Sequence, residues 1–343
     1  MADNFDDFVP KTSDGPSQAD KQKPISPDNP FKLGIVGHGF VGKAVEYAFL
    51  HPLVDLQIAD PKYGPEASID AMVEFEPHCV FVCAPTPMNP DSGFVDASIV
   101  EDAVLKLIEH TESLVVVKST ITPDVIDRLY NSMFEDGIDR FVYNPEFLTE
   151  KSAEEQFVNA EFHVLGGSER ATAELVEIYD VFSLCKSNEY FRMAAAEASF
   201  VKYAINTYLA TKVTFFNQLY DLINAWGCSY NIVTRAVGRD PRVGVGHTRV
   251  PGYDRKRGFG GACLPKDATA FLKFSEAEDQ EGNKISFDLI EKVLDINSRY
   301  RAYYELDERE KANNITFGDV NNERDGQTEE ELEDQDNGGT VGE

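Results

Sequence analysis

The strongest constraint in this sequence is a short apolar segment, Leu33-Gly-Ile-Val36, that runs directly into Gly37-His-Gly39-Phe-Val-Gly42 and then into helical patterning. Glycine at these three spacings predicts a strand, a tight turn and a helix in immediate succession. Gly37 makes the turn, Gly39 lets the backbone come close to a pyrophosphate, and Gly42 lets helix and strand pack closely. A helix that opens this way presents free N–H groups and the positive end of its dipole to a phosphate. The expected cofactor contacts are Gly37, Gly39, Phe40, Val41 and Gly42, with Asp60 at the end of the next apolar run. A carboxylate there accepts from ribose hydroxyls and repels a 2′-phosphate, which favours NAD over NADP. The bland alternative is a strand-to-helix turn that binds nothing, and the register of strand, glycines, helix and acid argues against it. His38 reads as a turn residue rather than an acid or base.

Downstream, short apolar runs alternate with helical patterns, as in a parallel sheet wound with helices. Strands are expected at Lys32–Val36, Leu56–Ala59, Val80–Cys83, Leu114–Val117, Phe141–Tyr143 and His163–Leu165. From Ala194 to about Trp226 an apolar face recurs at helical spacing without Gly or Pro, predicting one long helix. The expected fold is α/β: a Rossmann-type doubly wound sheet over 31–193, then the long helix and a mainly α-helical central, dimer-forming domain over 194–306. Residues 1–30 and 307–343, polar and acidic, read as disordered tails.

Charge narrows the partners. A formal net charge of −28 argues against nucleic acid and anionic membrane, so any phosphate-bearing ligand must be held by local features. No apolar run approaches a membrane span and the N-terminus does not read as a signal peptide, which places the expected location in the cytoplasm. Five cysteines without a CxxC pair fit neither a disulfide framework nor a zinc site, and no metal is expected. Cys79 and Cys83, in an apolar run, read as small buried hydrophobes.

A second informative stretch is Gly258-Phe-Gly-Gly-Ala-Cys263-Leu-Pro-Lys266-Asp267, a glycine-rich approach to a cysteine followed by a cation and a carboxylate. A nucleophilic thiol needs a lowered pKa, which a lysine or a helix N-terminus can supply. Taken alone, a structural cysteine is also a fair reading. Lys202 and Asn206, four apart on the long helix, can reach one oxygen from one face.

The stretch around Cys263 resembles the active-site loop of the UDP-glucose and GDP-mannose dehydrogenase family, a GFGGxCxxKD pattern. Further segments match in the family's order: Val117-Lys-Ser-Thr120, Asn144-Pro-Glu146-Phe-Leu-Thr-Glu150, Ala196-Glu-Ala-Ser-Phe-Val-Lys202-Tyr-Ala-Ile-Asn206, and Arg239-Asp-Pro-Arg242. The resemblance implies four-electron, NAD-dependent oxidation of a nucleotide-sugar primary alcohol to a carboxylate, UDP-glucose being the first choice. Cys263 is then the nucleophile that carries a thiohemiacetal and a thioester. Lys202 and Asn206 stabilise the developing oxyanion, and Glu146 serves as base through a water held by Thr120 and Asp267. Substrate contacts are implied for Glu150, Lys266, Phe259, Gly260 and, from the neighbouring subunit of a homodimer, Arg242. Thr86 and Thr120 are implied as cofactor contacts.

The resemblance spans roughly Phe31 to Leu306. The acidic stretch beyond does not read as the family's third, nucleotide-gripping domain. Asn159-Ala-Glu-Phe-His163 stands where the family has a proline and an arginine. Two other readings compete: a two-electron hydroxyacid dehydrogenase of the 6-phosphogluconate type, and a non-catalytic NAD-binding interaction protein. Cys263 with Glu146 speaks against the first, and the complete set of reactive side chains against the second.

Overall fold

The computed structural model describes residues 24–149, 152–277 and 285–317. Seven strands, β1 (Phe31–Val36), β2 (Val54–Ala59), β3 (Cys79–Val82), β4 (Leu114–Val117), β5 (Phe141–Tyr143), β6 (His163–Gly167) and β7 (Tyr190–Met193), form one sheet in the order β2-β1-β3-β4-β5-β6-β7. All neighbours run parallel except β5 and β6, which pair antiparallel. The central strands are apolar throughout because both faces are covered. Val80, Val82, Val115 and Val117 point into one layer with α2 (Ile69–Phe75), α3 (Ser98–His110) and α4 (Pro123–Glu135). Phe81, Leu114 and Val116 point into the other, under α1 (Phe40–Ala48), α5 (Ala153–Val158) and α6 (Glu169–Phe182). Cys79 lies in that second layer, fully buried. The chain leaves β1 toward β2 on one side and reaches β3 on the other, so the crevice at the ends of β1 and β3 is the sheet's switch point, where such folds bind ligands.

The long helix α7 (Ala195–Ala225) joins the two halves. Its first turns belong to the sheet: Ala195 and Ala198 enter the first layer. Gly166 of β6 makes this contact possible, since a Cβ there would sit 2.7 Å from the Ala198 methyl and 2.8 Å from the Ala195 Cα. Farther along, α7 supports a second core with α9 (Cys263–Glu276) and α10 (Asp288–Arg301), built from Ala210, Phe259, Ala268, Ile290 and Val293. A third cluster, Phe216, Ile223, Tyr230 and Val250, holds α8 (Tyr230–Val237).

The expected tails begin elsewhere than the composition suggested. Ser26 and Asn29 pair across a short turn and Ile25 packs on the core, so order starts before residue 30. At the other end Asp307 caps a further helix, α11 (Glu308–Ala312), and Ile315 is buried. The Asp307 side chain accepts from Arg309 and Glu310 N–H while Glu310 returns the bond to Asp307, a capping box written inside an acidic run. Among the described residues no helix is long and apolar enough to cross a membrane.

Candidate active site

At the switch point Gly37 adopts φ +85°, and a Cβ on it would sit 2.8 Å from the Cys83–Ala84 backbone, so the turn after β1 lies directly against the one after β3. A Cβ on Gly42 would strike the Gly37 carbonyl, whereas nothing stands within 4 Å of one on Gly39. Helix α1 has no side-chain cap and no acid in its first turn, leaving its N–H groups open toward that free space. His38 is a fastener: its ring bonds Tyr63 Oη at 2.6 Å and Glu46 Oε2 at 2.8 Å, and its N–H donates to Asp60 at 2.7 Å. Asp60 also accepts from Lys62 N–H at 3.0 Å. Burial opposes its charge, but the His38 and Lys62 backbone bonds and the Lys62 ammonium outweigh it and hold the carboxyl below the usual range. These features fit a dinucleotide with its pyrophosphate over Gly39 and a ribose at Asp60. Thr86 is buried just past β3, and Thr120, half-buried, follows β4 at the same end of the sheet.

Beside this crevice the fold gathers the residues around Cys263 from three segments far apart in sequence. Cys263 opens α9; one turn on, Asp267 bridges Lys266 Nζ at 2.7 Å and Asn206 Nδ2 at 2.5 Å. Lys202, a turn before Asn206 on α7, donates to the Glu146 carbonyl at 2.5 Å and approaches its carboxylate at 3.2 Å. Glu146, in the turn after β5, also accepts from Leu148 N–H. Glu146, Lys202, Asn206, Lys266 and Asp267 are all buried. Two carboxylates thus face two ammonium groups in a region poor in water, which keeps each charge compensated.

The electrostatics correct one expectation. Instead of a lowered pKa, burial pushes the Cys263 thiol up to about 11, with Asp267 and Glu146 adding to the rise and Lys202 and Lys266 opposing it. At rest the Cys263 sulfur is a protonated thiol. Burial disfavours the Lys202 charge as well, but Glu146 and Asp267 more than compensate, so Lys202 stays cationic above its ordinary range.

Not every expected residue joins the cluster. Phe259 is committed to the interior: its ring is in the second core, and its N–H and carbonyl are both taken by Asn297, at 2.7 and 2.9 Å. A Cβ on Gly260 would collide with Arg301 and Glu310, so this glycine faces a buried ion pair. Both residues hold the loop in place. Arg242 is exposed and pairs with Asp240 at 2.7 Å. Glu150 lies outside the described residues.

Sequence reasoning passed over Lys118 and Asn144, both buried. Lys118 Nζ donates to Asn144 Oδ1 at 2.9 Å and its carbonyl at 3.2 Å, and lies 4.8 Å from the Phe157 ring centre. Burial draws its ammonium down to about 8, against Cys83 and Glu146. A lysine ending a buried apolar strand was the available signal. On the outer side of Glu146 a cleft of about 650 Å³ is lined by Lys118, Phe147, Phe162 and His163 among others. Phe162, in the stretch Asn159–His163, lies tilted against Phe147 with ring centres 5.7 Å apart and meets Phe191 edge-on at 5.6 Å. That packing is the physical role of the aromatic residue at this position.

Residues 45–183 match the NAD binding domain model of the UDP-glucose/GDP-mannose dehydrogenase family, and residues 196–299 match its central domain model. The glycine turn lies just ahead of the first match. The chain is 31% identical over 200 residues to the UDP-glucose 6-dehydrogenase of Rickettsia felis, covering 57% of this chain and 43% of that protein. It is 27% identical over 309 residues to the UDP-glucose 6-dehydrogenase of Haloferax volcanii, covering 78% and 69%. Among solved structures, a UDP-glucose dehydrogenase from Pyrobaculum islandicum aligns with a TM-score of 0.64 and 28% identity, over 79% of this chain and 68% of that one. The match to the Rickettsia protein takes in less than half of that relative's length.

Proposed function

We propose a function from one premise: this chain belongs to the UDP-glucose/GDP-mannose dehydrogenase family, and it carries that family's NAD-binding and central domains. The reaction is the four-electron oxidation of a nucleotide sugar, RCH₂OH + H₂O + 2 NAD⁺ → RCOO⁻ + 2 NADH + 3 H⁺, with UDP-glucose as the first substrate to try. The observation that carries it is the convergence of Cys263, Lys202, Asn206, Asp267 and Glu146 beside the crevice where the glycine turn meets the end of β3. A two-electron alcohol oxidation gives a cysteine no task, whereas oxidation to the acid needs a carrier for the aldehyde.

Bound NAD supplies the hydride acceptor in both oxidation steps. The Lys202 ammonium and the Asn206 amide stabilise the alkoxide as the alcohol proton leaves through water beside Asp267 and Thr120. The Cys263 sulfur then bonds the aldehyde carbon and its proton passes to the carbonyl oxygen, giving a thiohemiacetal. Loss of a second hydride from that carbon, with the hydroxyl proton, leaves a thioester. Glu146, held against Lys202, takes a proton from water as the water adds to the thioester carbon, and the C–S bond breaks to release the acid. The protonated resting thiol suits this order, because an uncharged buried sulfur avoids premature alkylation and oxidation.

A homodimer belongs to the same proposal. Tyr208, Phe215 and Leu222 recur every seventh residue along α7 and are each about 60% exposed, an apolar seam for a second copy, and Arg242 is exposed for a reach across it that would exchange its Asp240 ion pair for the neighbour's substrate. The test of the function is to count NADH formed per UDP-glucose consumed, for the chain and for Cys263→Ser. Two NADH per sugar, with the serine variant stalled, is the expected result. One NADH per sugar, or equal turnover by the serine variant, refutes the thioester route.

A further inference from the structure

Glu310 is fully buried on α11, in a stretch whose composition reads as tail. Its Oε1 accepts from the Gly261 N–H at 2.9 Å and from Arg301 Nη2 at 2.6 Å, and its Oε2 accepts from Asp307 N–H at 2.8 Å. Arg301, also fully buried, holds Asp254 with its other terminal nitrogen at 2.7 Å. Gly261 stands two residues before Cys263, in a loop where Gly258 and Gly261 have φ near +70°. Glycines in such a run are free to move unless their N–H groups are held. Here three N–H groups of the run are held: Asn217 accepts from Gly258, Asn297 from Phe259 and Glu310 from Gly261. A few residues on, the same segment reaches the other half of the site. The Asn313 carbonyl accepts from Met88 N–H at 3.3 Å, and Asn314 Nδ2 donates to the Met88 carbonyl at 2.8 Å. Met88 is two residues past Thr86, on the cofactor side.

We infer that Glu310 is a positioning residue for Cys263, and that residues 307–317 form a clasp holding the cysteine loop against the loop after β3. The inference rests on the reading of Cys263 as the nucleophile. A displacement of about 1 Å in such a group costs on the order of a hundredfold in rate, so a loop built on glycines needs an anchor of this kind.

Full-length Glu310→Gln and Glu310→Ala are to be compared with the unmodified chain by iodoacetamide alkylation of Cys263, followed peptide by peptide against exposed Cys228 and repeated across pH. The expected result is a change of about tenfold or more in the Cys263 rate of Glu310→Ala and a displaced pH profile, as the loop shifts against Asp267 and Lys202, with Cys228 unchanged. Glu310→Gln, which keeps an oxygen for Gly261, should fall between. A merely structural Glu310 lowers the melting temperature yet leaves the Cys263 profile superimposable on the original, and that outcome overturns the inference. If Glu310→Ala does not fold, Asn314→Ala, which opens the clasp at its far end, is judged by the same profile. Alkylation needs neither NAD nor sugar, so a wrong substrate or reaction leaves this test intact, and failure of the clasp leaves the NADH count to stand by itself.

Discussion

Replacing Asp267 with Asn should make Cys263 more reactive toward alkylating agents and the protein less able to turn over. Asp267 follows Cys263 by one helical turn and is the largest charge acting against its thiolate. Charges about 6 Å apart at an effective dielectric of about 20 interact by roughly 3 kcal/mol, which is about two pKa units. The thiol, now at about 11, should therefore titrate near ~9 in the variant. At about pH 8 the thiolate fraction rises roughly a hundredfold, the weaker nucleophilicity of a more acidic thiol takes back roughly eightfold, and a net gain of about tenfold in rate remains. Loss of the carboxylate also strips Lys266 of its 2.7 Å ion-pair partner. Breaking a buried pair from one side costs about 3–5 kcal/mol, so circular dichroism must confirm the fold at the assay temperature. The assay is the pH dependence of iodoacetamide labelling at Cys263. A folded variant whose profile is unmoved or shifted upward would show that Asp267 does not set the thiol, and the electrostatic account of the resting state would fail.

Two further outcomes follow from the packing. Lys118 sits at about 8 in the fold, below the roughly 10.4 of an unfolded lysine. The unfolded chain therefore binds the extra proton between these values, and the cost of burying the charge is complete below about pH 8 and relieved as pH rises toward 10.5. Lys118→Met should accordingly gain most over the original chain at neutral pH and lose about 3 kcal/mol of that advantage by about pH 10.5, read by urea unfolding; a pH-independent difference would contradict it. Gly166→Leu should destabilise by more than about 3 kcal/mol, because even a Cβ there meets Ala195 and Ala198 of α7. Urea midpoints within experimental scatter of the original would show that sheet and helix are not in the contact described.

Much of this architecture is legible from residue patterns because the physics behind them is local. Runs such as Leu114–Val117 are apolar on both faces, and only a doubly covered strand tolerates that. The long helix shows equally well, since thirty-one residues without Gly or Pro leave little alternative. The placement of Lys202, Asn206 and Asp267 in one cluster was recoverable only through several short motifs taken together, because the contacts joining them are long-range. Composition misled at the C-terminus. The acidity of the stretch from Asp307 hid a capping box and one buried glutamate whose partner, Arg301, lies nine residues earlier. The motif misled again at Cys263, where a neighbouring lysine suggested a low thiol pKa and burial, with Asp267 and Glu146 adding to it, reverses the sign.

The continuity of α7 sets limits on how such a molecule can move. One unbroken helix of 31 residues is roofed onto the sheet at Ala195 and Ala198 and packed into the second core at Ala210. Lys202 and Asn206 fall between those two anchorages. Any hinge between the halves that bent α7 would have to break helical hydrogen bonds at the very residues that hold Glu146 and Asp267. Opening around the site is thereby steered into the loops around the helix, and Lys202 and Asn206 travel together as a rigid insert, like teeth cut on an axle rather than on the door it carries.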